Sequence, residues 1–413
     1  MDICSDVVVL GAGPAGLAAA LTVARAGASV TLVEGADAVG GLCRTRDGAG
    51  CRYDLGGHIP FLHGRDRVRW AEDLLGQPLR WVNRPVARVQ DGRIAPGRYI
   101  EQVPTVVNDA VPDDGTAAGE LGSHVGAAFR DRVMRRYLEK VDGWPLEMIS
   151  ADRARKLRDE QSAPNGFWYP TGGIGALMDA MSREVGECGG RVLTDTPVIA
   201  LIHQAGRVRG IEVGGAAPGE VRAHAVICAV TPGAMVRAAR PEAPAGLLPP
   251  ITMRAVCLVS LVADREPITP EAWIQVDDPR VPFARISEVA NWDPSLVPPG
   301  RTVLVAECYC RADDDDPTWS LDDAALFAAV AGAIADPLGW VDDPSVFRPV
   351  EVVRLPRAYP LVEAWRREEA GRAAAWLAAL DGLHLAHGGT VVTAIEAGEA
   401  AAHAVDAAAA PTA

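Results

Sequence analysis

Residues 7–34 read V-V-V-L-G-A-G-P-A-G-L-A-A-A-L-T-V-A-R-A-G-A-S-V-T-L-V-E. The apolar run Val7 to Leu10 predicts a buried parallel strand. Gly11, Gly13 and Gly16 follow in G-x-G-x-x-G spacing. An alanine-rich stretch to Ala26 predicts a helix that Gly27 stops. A second strand, Ser29 to Val33, ends at Glu34, and Gly35 follows. Each part suits the holding of a dinucleotide. Gly11 permits a tight turn, Gly13 lets a pyrophosphate approach the backbone, and Gly16 lets helix pack on strand. Pro14 and Ala15 open the helix, whose N-terminus offers free amides and a partial positive charge to phosphates. Glu34, eighteen residues after Gly16, can accept hydrogen bonds from a ribose diol.

Two further glycine-rich turns come soon after. Gly40-Gly41-Leu42-Cys43-Arg44-Thr45 is one, and Tyr53-Asp54-Leu55-Gly56-Gly57-His58 contains the other. A domain binding NAD alone does not need them. An extended FAD does, because it passes several backbone segments. Here the chain resembles the protoporphyrinogen oxidase and amine oxidase superfamily, on the branch that resembles UDP-galactopyranose mutase. The resemblance implies an α/β fold: a Rossmann-like FAD-binding domain of the two-dinucleotide-binding-domain type, with a mixed α+β substrate domain. It implies that Gly40, Gly41, Leu42 and Arg44 contact FAD, and that Gly56, Gly57 and His58 lie beside the flavin. For Arg44 a surface salt bridge is the alternative.

The chain has 413 residues, more than one core usually supports. Forty Lys and Arg oppose fifty-four Asp and Glu, for a net charge of −14, which argues against a nucleic-acid partner. The expected partner is a small-molecule substrate. No stretch of eighteen apolar residues is free of charges or turn signals, so no membrane span is expected. The first strand begins within ten residues of Met1, so no signal peptide is expected. Eight scattered cysteines with no C-x-x-C pair suit a reduced, cytoplasmic chain. Cys308 and Cys310 flank Tyr309 in an alternating segment and should share one strand face.

The FAD-binding domain is expected to be discontinuous: residues 1–75, 185–240 and 350–413. The substrate domain takes 76–184, with a helical part, and 241–349. Arg191 to Val198 and Ala223 to Val230 read as strands. Ile199 to His203 and Val208 to Val213 read as a hairpin around Gln204-Ala205-Gly206. Val125, Phe129, Val133, Tyr137 and Val141 recur at four-residue steps and predict one helix from Leu121 to Val141. Arg254 to Val262 alternates like a strand. In the resembled family the segment at Thr196-Pro197-Val198 brings a backbone to the adenine, so Val198 joins the expected FAD contacts. So do Gly388, Val391 and Val392, in the turn before a last helix, Thr393 to Ala402, whose N-terminus the resemblance points at the flavin.

Three readings of the chemistry stand. The first is an FAD-dependent oxidoreductase (oxidase, dehydrogenase or desaturase) acting on a small molecule, of the kind specialised metabolism handles, by hydride transfer to flavin N5. The second is non-redox, flavin-dependent rearrangement of a sugar nucleotide between pyranose and furanose forms. The third is a chain in which FAD is structural. The mutases carry an arginine, a tyrosine and an aspartate near the C-terminal turn that hold a diphosphate. Here no arginine or tyrosine follows Leu377, which favours the first reading unless Arg254, Arg285 or Arg357 compensates. The amine oxidases place a lysine on the strand matching Arg254 to Val262, and none occurs there. His58, His387 and Tyr359 are the expected catalytic side chains, each with a bland alternative. His58 can order its own loop, His387 can be a solvent-exposed turn residue, and Tyr359 can be a core tyrosine.

Overall fold

The computed structural model describes residues 3–60, 64–83, 86–90, 93–97, 107, 109–161, 166–247, 252–361 and 367–409. The apolar run at its start is the inner half of β1 (Ile3–Leu10). Val7 to Leu10 are at most 2% exposed, because parallel neighbours flank them on both sides. On one side β2 (Val30–Val33) pairs from Val7↔Val30 to Leu10↔Val33. On the other, the strand Gly219–Cys228 pairs as far as Leu10↔Cys228. Between β1 and β2 runs α1 (Pro14–Arg25), whose small alanines bring it close to the sheet.

This sheet has eight strands. Arg191–Leu193 extends it beyond β2 in parallel. The strand Leu383–Leu385 adds in parallel beside Gly219–Cys228. The expected hairpin is present as Val198–Gln204 and Arg207–Val213, turned by Ala205 and Gly206 at positive φ. The strand expected to run from Arg191 to Val198 stops at Leu193. Asp195 adopts φ +49° and Pro197 follows, so the backbone cannot continue extended.

A second sheet has seven strands, built around Thr252–Ala263, Thr302–Cys310 and Phe347–Leu361, all antiparallel. Arg285–Glu288, Trp273–Gln275, Val86–Gln90 and Arg93–Pro96 complete it. Thr302–Cys310 is the buried centre: all nine of its residues are out of water. The segment from 350 was expected to return to the FAD-binding domain. Instead Phe347–Leu361 pairs along the whole of Thr252–Ala263, so residues up to Leu361 belong to the second sheet.

The single helix expected over 121–141 is broken. Ala117–Val125 ends at Gly126, which takes φ +83°. The chain resumes as Ala127–Phe129, passes through a wider turn at Arg130–Met134, and finishes as Arg135–Asp142. Val125, Phe129, Tyr137 and Val141 are nonetheless all buried, so the periodicity marked the core face correctly while glycine set the break. Among the described residues no helix is long and apolar enough to cross a membrane.

Candidate functional site

The turn after β1 separates glycines that are packed from one that is open. Gly11 has φ +90°, and a Cβ on it would sit 2.8 Å from Val230. A Cβ on Gly16 would lie 1.8 Å from the Gly11 carbonyl oxygen, so the helix rests directly on the turn. Gly13 is different, with nothing within 4 Å of where a Cβ would stand. Beside that space Gly40 donates its amide to Ala12 at 2.7 Å, and a Cβ on Gly41 would be 3.4 Å from the Gly13 Cα. The two glycine turns are thus locked edge to edge around an open face. α1 starts there with no side-chain cap and with Pro14 in its first turn. The amides of Ala15 and Gly16 lie in that first turn, where no intrahelical acceptor exists. Such a face can accept a pyrophosphate.

Glu34 stands at one end of it. Its carboxylate accepts the Ala12 amide at 2.7 Å and the Ala36 amide at 2.9 Å. Each oxygen keeps a lone pair for a ribose hydroxyl. Thr196 donates its amide to the Glu34 carbonyl at 2.8 Å, and Pro197 lies against Gly35. Val198 therefore begins its strand next to Glu34 and Gly35. Arg44 donates to Asp37 at 2.9 Å in a surface pair, and Leu42 is 40% exposed.

The turn at Gly56–Gly57 is held from below. Asp54 is buried, and its carboxylate accepts the Tyr169 hydroxyl, the Thr45 hydroxyl at 2.6 Å and the Ile174 amide. Burial raises its pKa, and those hydrogen bonds pull it back. His58 Nδ1 is 3.2 Å from the Gly56 carbonyl, so this ring orders its own loop. Beneath the two glycines stand two buried oxygens with no hydrogen-bond partner, Glu307 Oε1 and Ser287 Oγ. A Cβ on Gly56 would be 3.4 Å from Glu307 Oε1, and one on Gly57 would be 3.3 Å from Ser287 Oγ.

Glu307 is the centre of a polar wall on the second sheet. Its other oxygen accepts the Tyr309 hydroxyl at 2.7 Å, and the Arg285 guanidinium lies 3.6 Å away. Arg285 also sits over the Trp273 ring, 4.6 Å from its centroid. Burial disfavours its charge, but Glu307 together with Tyr309, Tyr137 and Tyr359 outweighs burial and raises its pKa. Tyr359 stacks on Tyr309 with ring centroids 5.8 Å apart, and is itself 44% exposed. It is the open end of a stack that leads inward to Glu307. Desolvation, and then the Glu307 charge, push the Tyr359 phenol up.

The C-terminal turn follows Leu383–Leu385, beside Gly219–Cys228 and hence beside the fingerprint turn. The last helix starts at Val391, two residues before the expected Thr393. Thr390 and Thr393 cap it reciprocally, at 2.9 and 3.3 Å. Val391 and Val392 therefore lie in the helix, while Gly388 packs on Ala394. His387 is exposed at this turn, and desolvation lowers its pKa. Lys156 Nζ reaches this turn from the helix Ala151–Gln161 and donates to the Gly389 carbonyl at 3.4 Å. Arg254 does not compensate for the missing arginine. Its Nε and Nη2 donate to the carbonyls of Val141, Lys140 and Tyr309, and it is buried there. Arg357 is exposed.

The structure thus gathers Gly11, Gly13, Pro14, Ala15, Gly16, Glu34, Gly35, Gly41 and Val198 around one cradle. It sets Gly56 and Gly57 against the second sheet, to which Tyr359 itself belongs, and turns His58 back onto its own loop. Asp54, Ser287, Glu307 and Tyr309 were not singled out from the sequence as site residues, and Arg285 was named there only as a partner for a diphosphate. A signal for one of them was present: Glu307 is a lone acid inside the apolar run T-V-L-V-A-E-C-Y-C. A carboxylate buried on a strand needs partners or a function.

The residues fit FAD. The open space before Gly13 admits a pyrophosphate, Glu34 keeps acceptors for a ribose, and unpartnered buried oxygens lie under the second glycine turn. A family profile described as FAD dependent oxidoreductase matches residues 6–404. A zeta-carotene-forming phytoene desaturase of Myxococcus xanthus is 26% identical over 285 residues, 54% of this chain and 52% of the relative. The match thus spans about half the length of that relative. Reduced UDP-galactopyranose mutase shares the fold at TM-score 0.79 and 18% identity, over 98% of this chain and 96% of the other. A triple variant of putrescine oxidase does so at TM-score 0.72 and 18% identity, over 99% and 100%. A protein of Exiguobacterium sp. 255-15 assigned as a protoporphyrinogen oxidase matches at TM-score 0.75 and 19% identity, over 98% and 99%. The profile match covers nearly the whole chain, and the chain belongs to the FAD-dependent oxidoreductase family.

Proposed function

We propose that this enzyme oxidises a small polar molecule held beside the Gly56–Gly57 turn, which the Arg285–Glu307–Tyr309 wall backs. When bound, FAD supplies a hydride acceptor. The observation that carries the reading is the wall itself: a buried carboxylate and a partly buried guanidinium on adjacent strands, with an unpartnered carboxylate oxygen under the glycine turn. Such a wall can orient a polar group, and Tyr359 gives it access to solvent. Trp292 and Val289, buried beside the turn, keep bulk water from the inner end.

The name of the Myxococcus relative refers to desaturation of a carotenoid. A buried ion pair is a poor lining for a hydrocarbon, since its polar atoms would be left unpaired. The wall therefore supports a polar substrate. Against the mutase reading, Lys156 is the one cationic side chain recorded at the C-terminal turn among the described residues, and it is a single, exposed charge. A diphosphate normally takes several donors.

Anaerobic mixing of the FAD-loaded protein with primary amines, secondary amines, hydroxy acids and polyols tests the proposal. The expected result is bleaching of flavin absorbance with one equivalent of oxidised product for one member of the set. Bleaching by phytoene in micelles, and by no polar compound, overturns the polar reading. Rearrangement of a UDP-sugar only after pre-reduction, with no oxidised product, overturns the redox reading.

A further inference from the structure

The Glu307 carboxylate is unequally served. Oε2 takes the Tyr309 hydroxyl at 2.7 Å and faces Arg285, while Oε1, equally buried, has no partner and abuts Gly56. A buried carboxylate oxygen left bare costs free energy, and such costs persist where the group has work to do. Ser287 Oγ, bare and buried under Gly57, marks the same spot from the neighbouring strand. Behind Oε2 the stacked pair Tyr309–Tyr359 leads to solvent at an exposed ring.

We propose that Glu307 takes up the proton that accompanies reduction of the cofactor and returns it to solvent by way of Tyr309 and Tyr359. This rests on the oxidative reading above. In the oxidation a substrate C–H bond gives up a hydride to the cofactor, and the neighbouring heteroatom's bond to hydrogen gives up a proton. Glu307 forms a new O–H bond at Oε1 with that proton. Its charge falls to zero as the cofactor gains negative charge, so the buried site stays close to electroneutral. For the return, Tyr309 turns its own hydroxyl proton toward Tyr359, which releases one to water, and Glu307 gives its proton to the vacated Tyr309 oxygen, so that each O–H bond broken is matched by one formed.

Other titratable groups face this chain. Arg285 lies on the adjoining strand, and Tyr137 comes from the helix Arg135–Asp142. Arg153 acts on Tyr359 from the helix Ala151–Gln161, and Asp54 lines the small cavity beside Gly56 together with Ser287. Arg285 keeps its charge throughout. Tyr309 is buried and held well above the ordinary phenol range, so it conducts a proton without ionising.

The test needs no substrate. The FAD-loaded protein is titrated with dithionite and reference dyes at a series of pH values from 5.5 to 9, and the midpoint potential is read from flavin absorbance. An extra proton taken up per two electrons changes the equilibrium tenfold per pH unit, which is about 30 mV of added slope. The wild type should show a limb steeper by that amount, and Glu307→Gln should lack it. Tyr309→Phe removes a donor that favours the carboxylate, so the steep limb should move to higher pH. That variant carries the test if Glu307→Gln does not retain FAD. Superimposable curves for wild type and Glu307→Gln, or an unmoved limb in Tyr309→Phe, overturn the proposal. Failure of every compound to bleach the flavin would sink the oxidative reading and leave these curves unchanged.

Discussion

Glu34 holds the backbone amide of Ala12 at 2.7 Å while its second oxygen holds that of Ala36. The acid that ends β2 therefore shapes the apoprotein turn before any ligand arrives. It also remains able to accept a ribose diol. Glu34→Ala should fail in both respects. Hydrogen bonds to a charged group contribute about 1.5–3 kcal/mol each, so the apoprotein should melt several degrees lower. Flavin absorbance per protein after reconstitution should fall as well. An unchanged apoprotein melt would show that the two backbone bonds contribute nothing.

Gly13 and Gly16 are two residues of one motif with opposite reasons for being glycine. A Cβ on Gly16 would strike the Gly11 carbonyl at 1.8 Å, whereas one on Gly13 meets nothing within 4 Å. Gly16→Ala should destabilise the apoprotein, because the helix must lift from its turn. Gly13→Ala should leave the apoprotein melt unchanged and lower FAD affinity at least tenfold, by filling the pyrophosphate space. Melting curves with and without FAD, together with flavin binding by fluorescence, separate the two effects.

Lys140 is one of only two lysines in the chain. Its ammonium is buried against the carbonyls of Val276, Asp278 and Phe283, at 3.1, 2.8 and 2.7 Å. Desolvation lowers its pKa from 10.5 to about 8. The unfolded chain therefore holds more protons between about pH 8 and 10.5. Stability from this group rises with pH across that window, and the burial cost is fully present below it. The gain is of order 3 kcal/mol, at about 1.4 kcal/mol per unit. Lys140→Met should abolish this rise. Urea melts at pH 7.5 and 10, comparing wild type with variant, read the difference directly.

How far the sequence reveals this molecule depends on how local each interaction is. β1, α1 and β2 were legible because strand, turn and helix are consecutive, and their burial follows from apolar runs. The hairpin around Ala205 and Gly206 was legible for the same reason. Cys308 and Cys310 share a face as alternation requires, and Cys310 Sγ ends 3.8 Å from Cys257. What could not be read depends on register between distant segments. Glu307 meets Arg285 because Arg285–Glu288 pairs with Thr302–Cys310 in one register, and nothing local sets that register. Arg254 looked available for a substrate phosphate. It is spent on the carbonyl end of the helix Arg135–Asp142, a contact made across more than a hundred residues. The break at Gly126 was written in the sequence, but a periodic apolar face outweighed one glycine.

The Arg285–Glu307 pair yields a last prediction, about stability rather than chemistry. Glu307 is 3% exposed and Arg285 is its counter-charge at 3.6 Å. Removing one partner of a buried pair leaves an uncompensated charge, at a cost of about 3–5 kcal/mol. Replacing both by apolar residues of similar size is often neutral. Arg285→Met should therefore lower the melting temperature of the apoprotein markedly. Arg285→Met combined with Glu307→Leu should recover part of the loss, because it removes the uncompensated charge while leaving the Tyr309 hydroxyl without its acceptor. The double variant should still bind FAD, since neither residue belongs to the Gly13 cradle, yet it should oxidise nothing. A double variant no more stable than Arg285→Met would mean that the wall supports the fold through its shape and Tyr309, not through charge balance.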